Sequence, residues 1–364
     1  MKLAIASVAT LVAATTALPQ SRLASRVAGR RSHGLASKRA DGVQYFGVNI
    51  AGFDFGCGTD GTCDTSKVVS PLGSSDSAGQ MQHFANDDGM NIFRLPVGWQ
   101  FLLNNQLGGQ LDSNNAGQYD QLVQACLSTG AVCILDIHNY ARWNGEIIGQ
   151  GGPSDEDFAN VWSQLATKYS SESNIWFGLM NEPHDVPDID AWASSAQAAV
   201  TAIREAEAST QHTILIPGND WTSAEAFPTS SGPALLGITN PDGSTDGLVF
   251  DVHKYSDSDN SGTHTECTTD NIDNAFAPLA DWLRENGRQA INTEMGGGNT
   301  DSCQQYICDQ IAYVNQNADV YLGYVGWSAG AFDPATYELS EVPQNNGGSW
   351  TDTSLVQACF TNSA

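Results

Sequence analysis

From Tyr45 onward, short runs rich in β-branched and aromatic residues alternate with longer amphipathic ones. Eight short runs read as strands: 47–53, 91–98, 132–138, 175–182, 213–218, 248–255, 290–295 and 321–327. Most are apolar at nearly every position rather than at every second one, as expected of strands buried on both faces of a parallel sheet. The stretches 155–169, 190–208, 271–286 and 303–317 read as helices between them. In 155–169, Phe158, Val161, Trp162, Leu165 and Tyr169 recur at helical spacing. Asp155 and Glu156 fall in its first turn, where the positive end of the helix dipole favours carboxylates.

Eight βα repeats predict one closed barrel, a single α/β domain of the (β/α)8 TIM type. An open doubly wound sheet is the alternative, and a dinucleotide-binding version would want Gly-x-Gly-x-x-Gly after its first strand. The stretch after Phe53 instead holds Cys57 and Cys63 in a Gly-rich loop. The polar run 256–262 reads as a loop, not an interdomain linker.

Composition changes the picture at the N-terminus. Lys2, an apolar run from Leu3 to Ala14 and small residues to Ala17 form a secretory signal, too short and too rich in Ser and Thr to be a membrane span. Residues 18–39 carry Arg22, Arg26, Arg30, Arg31 and Lys38 but no acid, and end in the dibasic pair Lys38-Arg39. That predicts a pro-segment, with the barrel occupying 40–364. Its loss with the signal would remove seven of the 15 basic residues and none of the 41 acidic ones, taking the net charge from -26 to -33. Such a surface repels nucleic acid and anionic lipid, so neither is an expected partner. Self-repulsion among the carboxylates eases in mild acid, where working conditions and maximal stability are expected. At 41% hydrophobic residues the chain can still bury a large core, which excludes disorder as its main state.

All eight cysteines lie beyond the signal and pro-segment, and an even count in a secreted chain predicts disulfides. Of the 105 possible pairings, the sequence-local scheme is favoured: Cys57–Cys63, Cys126–Cys133, Cys267–Cys303 and Cys308–Cys359. No pair has zinc-site spacing and the histidines are scattered, so no metal or cofactor is expected. There is no Asn-x-Ser/Thr sequon.

In such a barrel the reacting groups sit where strands end and loops begin. Reading the runs to their C-terminal ends gives Arg94, Pro96 and Trp99; Asp136, His138 and Asn139; Asn181 and Glu182; Asn219, Asp220 and Trp221; His253 and Tyr255; Glu294; and Trp327. Polar groups this close to apolar strands are expensive to bury unless they meet one another or a ligand. Glu182 and Glu294, on strands four and seven, suit the acid and the nucleophile of glycosidic cleavage, which needs one carboxyl protonated and one ionised. Arg94 and Tyr255 are placed to hold Glu294 as a carboxylate. Asn181 is expected to bond the sugar 2-hydroxyl. His138 and His253 read either as satisfied core histidines or as contacts to the sugar and the two glutamates, and their strand-end positions favour the second. Trp99, Trp221 and Trp327 follow strand ends and Trp143 lies in a loop after strand three, where an indole face can stack on a pyranose. Trp162, Trp176, Trp192 and Trp282 are read as core.

The stretches Arg94-Leu95-Pro96-Val97, His138-Asn139-Tyr140, Asn181-Glu182-Pro183, His253-Lys254-Tyr255, Thr293-Glu294 and Gly326-Trp327-Ser328, in this order, resemble glycoside hydrolase family 5, specifically the secreted fungal endo-β-1,4-glucanases. The resemblance spans about 45–360. It implies cleavage of internal β-1,4-glucosidic bonds with retention, Glu182 as acid/base and Glu294 as nucleophile. It places Arg94, His138, Asn181, His253, Tyr255 and Trp327 around the subsites, and it implies a β-glucan substrate and a monomer. The sequence-local disulfide scheme also resembles that of the fungal members. No Cys- and aromatic-rich cellulose-binding module on a Ser/Thr/Pro linker is recognised, so soluble or amorphous β-glucan is the expected better substrate. A β-mannanase or mixed-linkage glucanase on the same barrel is the nearest alternative. A non-catalytic glycan-binding barrel, and a metal-dependent hydrolase lacking any His-Glu-x-x-His set, are weaker ones.

Overall fold

The computed structural model describes residues 42–207 and 210–361. The expected signal, pro-segment and processing site, and Ala208, the last residue of the stretch expected to be helical over 190–208, lie outside the described residues. Eight parallel strands close into a barrel: β1 (Tyr45–Ala51), β2 (Ile92–Val97), β3 (Val132–Ile137), β4 (Ile175–Gly178), β5 (Thr213–Pro217), β6 (Leu248–His253), β7 (Ala290–Met295) and β8 (Tyr321–Gly330). Each pairs with its neighbours in chain order, and β8 closes on β1. The outer layer holds α1 (Ser77–Asn86), α2 (Asn115–Ser128), α3 (Asp155–Lys168), α4 (Ile189–Ala206), the single turn α5 (Gly232–Leu235), α6 (Ala277–Asn286) and α7 (Asp301–Gln316). One π-helical turn, Ile272–Phe276, leads into α6 and another, Val356–Phe360, follows β8. Among the described residues no helix is long and apolar enough to cross a membrane.

Local chemistry accounts for the element ends. Ser154 caps α3 through a capping box with Asp157, and Asp155 and Glu156 follow in the first turn. The run at 175–182 is only half a strand. After Gly178 the backbone leaves the ladder, Leu179 N–H bonds Leu215 O, Asn181 N–H bonds Ile137 O, and Glu182 adopts φ 40°. The apolar run therefore continues past the ladder, because Leu179 and Met180 are buried without strand geometry.

The barrel interior is stacked in layers two residues apart, since alternate residues of a strand share a face. The lowest layer is apolar: Ile92, Ile134, Trp176, Leu215, Val249, Ile291 and Val325 form one buried cluster. Two residues further along their strands stand Arg94, Asp136, Asp251 and Thr293, joined by Asn49 from β1, all fully buried. Two further again come His138 and His253, and Trp327, two residues past Val325, stacks on the His138 ring at the C-terminal mouth. A second, larger apolar core fills the space between barrel and helices and includes Trp162 and Trp192. Trp282 packs against Phe227 and Phe250.

All four disulfides form in the sequence-local pairing, with no free cysteine among the described residues. Cys267–Cys303 and Cys308–Cys359 close separations of 36 and 51 residues. On a chain-entropy model each stabilises the fold by roughly 4 kcal/mol.

Candidate active site

The polar middle layer is organised by Arg94. Its Nη1 donates to Glu294 Oε1 at 2.5 Å and to Asn49 Oδ1 at 3.0 Å. Its Nη2 donates to Asn181 Oδ1 at 2.7 Å and lies 3.1 Å from Asp136 Oδ2. One guanidinium thus fixes a residue from each of four strands or strand ends, and the fork geometry explains why an arginine stands there.

Above it sit the two glutamates. A carboxylate oxygen of Glu182, a ring nitrogen of His253 and a carboxylate oxygen of Glu294 lie within 4.8 Å of one another. Glu294 is buried and receives Arg94 on one oxygen and the Tyr255 hydroxyl, at 2.7 Å, on the other. Burial pushes its pKa up, but the charges of His253, Arg94 and His138 and the Tyr255 hydrogen bond outweigh this and hold it below the usual carboxylate range. Glu182 has a different neighbour: its Oε1 meets His253 Nδ1 at 2.7 Å. Burial disfavours a charged His253 ring, yet Glu294, Glu182 and Asp251 together raise its pKa. The two carboxyls therefore sit in opposed environments, one clamped by a permanent cation, the other facing a titratable ring.

The aromatic rim follows. Trp327 lies at 13° to the His138 ring, and Asp136 Oδ2 holds His138 Nδ1 at 2.8 Å. Trp221 is 42% exposed and stacks on His184 at 3.9 Å and 4°. A cavity of 630 Å³ runs from Glu182 past Tyr140 and Trp221 to Lys254 and Tyr255, a volume suited to sugar units. Several rim residues hold left-handed backbone without being glycine: Tyr140 (φ 56°), Glu182 (φ 40°), Asp220 (φ 55°) and Trp221 (φ 61°). Each costs of order 1–2 kcal/mol, a cost that concentrates where side chains must be aimed rather than packed.

Of the residues selected from sequence, Arg94, His138, Asn181, Glu182, His253, Tyr255, Glu294 and Trp327 converge on this cleft, with Trp221 along its open side. Trp99 and Asn139 do not. Trp99 is wholly buried, packed edge-on against Trp143 and tilted against Phe158. Asn139 bonds the Trp99 N–H and the Gln100 side chain, and is sealed beneath the cleft. Trp143, packed on Trp99, is likewise buried. All three are supports rather than sugar platforms, because their side chains are buried against one another and their neighbours; Trp143 belongs to the short hairpin Arg142–Trp143 with Glu146–Ile147. Sequence reasoning missed His184 and Asn49 and gave no role to Tyr140, Asp136 or Asp251. The last two carried a signal, since Asp-x-His occurs twice, as Asp136-Ile137-His138 and Asp251-Val252-His253.

Residues 48–333 match the cellulase family, glycosyl hydrolase family 5. The chain belongs to that family. Among its relatives, endoglucanase EG-II of Hypocrea jecorina is 66% identical over 329 residues, covering 88% of this chain and 78% of its own. The crystal structure of Cel5A (EG2) from Hypocrea jecorina superposes with a TM-score of 0.86 at 64% identity, covering 89% of this chain and all of that one. XacCel5A in complex with cellopentaose gives a TM-score of 0.74 at 29% identity, covering 87% and 98%. The chain is a glycoside hydrolase of the cellulase family on a single (β/α)8 barrel.

One buried acid in this family-5 barrel stands outside the cleft network. The Glu341 carboxyl is wholly buried and neither oxygen has a hydrogen-bond partner among the described residues. It lies so close to β8 that a Cβ at Gly326 would come within 2.4 Å of its Oε1. Burial pushes its pKa well above the usual range, so it folds as the neutral acid. A raised folded pKa contributes stability that is complete below the unfolded value near 4.5 and is lost as pH rises through the folded value. Glu341→Gln, neutral at every pH, is therefore expected to raise stability more at pH 7 than at pH 4. Denaturant unfolding at the two pH values checks this; equal changes at both would show that Glu341 is ionised in the fold.

Proposed function

We propose that this chain is a secreted, retaining endo-β-1,4-glucanase that cleaves internal bonds of cellulose and related β-glucans. The observation that carries the reading is the asymmetric carboxyl pair: Glu294 held by Arg94 and Tyr255, Glu182 facing His253, with oxygens within 4.8 Å. Retaining glycosidases space their carboxyl groups at about 5–5.5 Å, whereas inverting ones leave roughly 6.5–9.5 Å for a water. The cellopentaose bound by a structural relative supports a linear β-1,4-glucan as substrate.

In the first step Glu182 gives its proton to the glycosidic oxygen as Glu294 attacks the anomeric carbon. The C1–O bond breaks, a C1–Oε bond forms, and the leaving chain departs as an alcohol. In the second step Glu182, now a carboxylate, takes a proton from water, whose oxygen attacks C1 and releases Glu294. The Asn181 Oδ1 accepts from Arg94 Nη2, while its buried Nδ2 has no hydrogen-bond partner among the described residues. That orphan donor is the group assigned to the sugar 2-hydroxyl, where it strengthens as the transition state forms. Trp327 and Trp221 supply the apolar faces on either side.

Cello-oligosaccharide hydrolysis followed by NMR is expected to release the β-anomer first. Initial α-product would remove the two-step mechanism. The segments 1–17 and 18–39 are assigned to secretion and processing, and N-terminal sequencing of secreted protein is expected to begin near Ala40. A distant start would remove the dibasic site from the account.

A further inference from the structure

The two Asp-x-His pairs are built differently. Asp136 touches His138 directly and also pairs with Arg94. Asp251 stands 3.9 Å from His253 Nε2, with the Thr293 hydroxyl between them. Thr293 Oγ1 is 2.5 Å from Asp251 Oδ1 and 2.9 Å from His253 Nε2, and His253 Nδ1 is 2.7 Å from Glu182 Oε1. We propose that Asp251 is a positioning residue for the acid/base: through the Thr293 hydroxyl it fixes which nitrogen of His253 carries the proton, and hence the direction of the hydrogen bond between His253 and Glu182. The proposal rests on the reading of Glu182 as acid/base.

A hydroxyl has one proton. When Asp251 is ionised it can only accept, so the Thr293 proton points to it and the Thr293 oxygen must accept from His253 Nε2–H. Above the raised pKa of His253, where the ring is neutral, Nδ1 is then an acceptor, and it receives the hydrogen bond of a protonated Glu182, the form that serves a leaving group. When Asp251 holds a proton the chain can reverse: Asp251 donates to Thr293, Thr293 to Nε2, and Nδ1–H to an ionised Glu182. Asp251, Thr293 and His253 are all essentially closed to solvent, so bulk water does not reach the links between them. The other charged or titratable groups facing the relay are Glu294, whose Oε2 is 3.6 Å from His253 Nδ1, and Arg94 and Asp136 from the neighbouring strands, which act on Asp251. Tyr140 and Tyr255 face Glu182 and Glu294 from the cleft side. Burial lifts Asp251 to about 6, against the pull of His253 and Arg94, which puts its charge change within reach of working pH. Asp251 and Thr293 are buried and reach Glu182 through His253. A carboxylate that sets a histidine tautomer by hydrogen bonding, without itself reacting, is an established device.

The test compares kcat/KM against pH for wild type, Asp251→Asn, Thr293→Val and Thr293→Ser. Two substrates are used, phenyl cellobioside, whose leaving group needs a proton, and 2,4-dinitrophenyl cellobioside, whose leaving group does not. An amide at position 251 can donate to Thr293, turn its hydroxyl toward Nε2 and leave Nδ1–H holding Glu182 ionised. Asp251→Asn is therefore expected to move the basic limb down by about one pH unit and cost roughly tenfold at pH 7 on the phenyl substrate. It should change the dinitrophenyl substrate little and leave KM unaltered. Thr293→Val should displace the same limb, and Thr293→Ser should bring it back towards the wild-type position. Equal losses on both substrates at every pH, or limbs at the wild-type position in both Asp251→Asn and Thr293→Val, would overturn the relay. Glu182→Gln separates this from the parent reading. If it hydrolyses the phenyl substrate at the wild-type rate, the acid/base assignment itself fails. If it is inactive while the Asp251→Asn limb stays in place, only the relay is lost.

Discussion

Replacing Glu294 with Gln is expected to lower kcat on cello-oligosaccharides by roughly 10⁴-fold or more while leaving KM within a few-fold. The shape is kept: the amide oxygen still accepts from Arg94, and the site loses only the charge that attacks the anomeric carbon. Arg94 keeps a buried counter-charge in Asp136, so the fold should survive the change. The decisive measurement uses Glu294→Ala with azide. A small anion entering the space of the missing carboxylate attacks from the same face, so azide should restore turnover of an activated aryl cellobioside and give the α-glycosyl azide. Restoration with a β-azide product, or a Glu294→Gln variant retaining a tenth of wild-type activity, would move the nucleophile elsewhere.

Arg94→Met should be the most costly single change for both stability and activity. Removing the cation leaves Asp136 and Glu294 buried without their partner and frees the Oδ1 atoms of Asn49 and Asn181. Breaking a buried ion pair from one side typically costs about 3–5 kcal/mol, and here two pairs share one guanidinium. The sign of the pH effect follows from the same contacts. Arg94 is one of the charges holding Glu294 below the usual carboxylate range, so without it the nucleophile takes up a proton at higher pH. The acid limb of kcat/KM should therefore move upward, and activity should fall further at pH 4 than at pH 7. Arg94→Lys keeps the charge but cannot span four acceptors, and is expected to recover the limb position better than the stability. Unfolding curves together with the pH profile check both halves. An unshifted acid limb in Arg94→Met would show that His253 and Tyr255 alone keep Glu294 ionised.

The local signals were sufficient for much of this. Runs apolar on both faces fixed eight strands, because a strand covered by helices on one side and barrel interior on the other has no polar face to show. Strand ends marked the cleft, because Arg94, Glu182, His253 and Glu294 have no cheap place beside apolar strands except against one another. The even set of cysteines in sequence-local pairs also carried through.

Other assignments needed contacts that no local pattern contains. Trp99 and Trp221 both follow strand ends, yet one is buried against Trp143 and Phe158 and the other lies open on His184. Which side of a ring meets solvent depends on loops folding back from elsewhere in the chain. Asn139 was read as a sugar contact on its strand-end position, and its amide turned out to be taken up by Trp99 and Gln100. Asp251 stood in plain view two residues before His253, but its connection passes through Thr293, forty-two positions later on the neighbouring strand. The sequence by itself determined the barrel, the position of its mouth and the acids that meet there, because these follow from burial and from the two-residue period of a strand. Only the tertiary structure decided which aromatic rings stay open and which proton faces which acceptor. Those depend on the registry between strands far apart in the chain, and a shift of one residue would turn every such side chain to the opposite face.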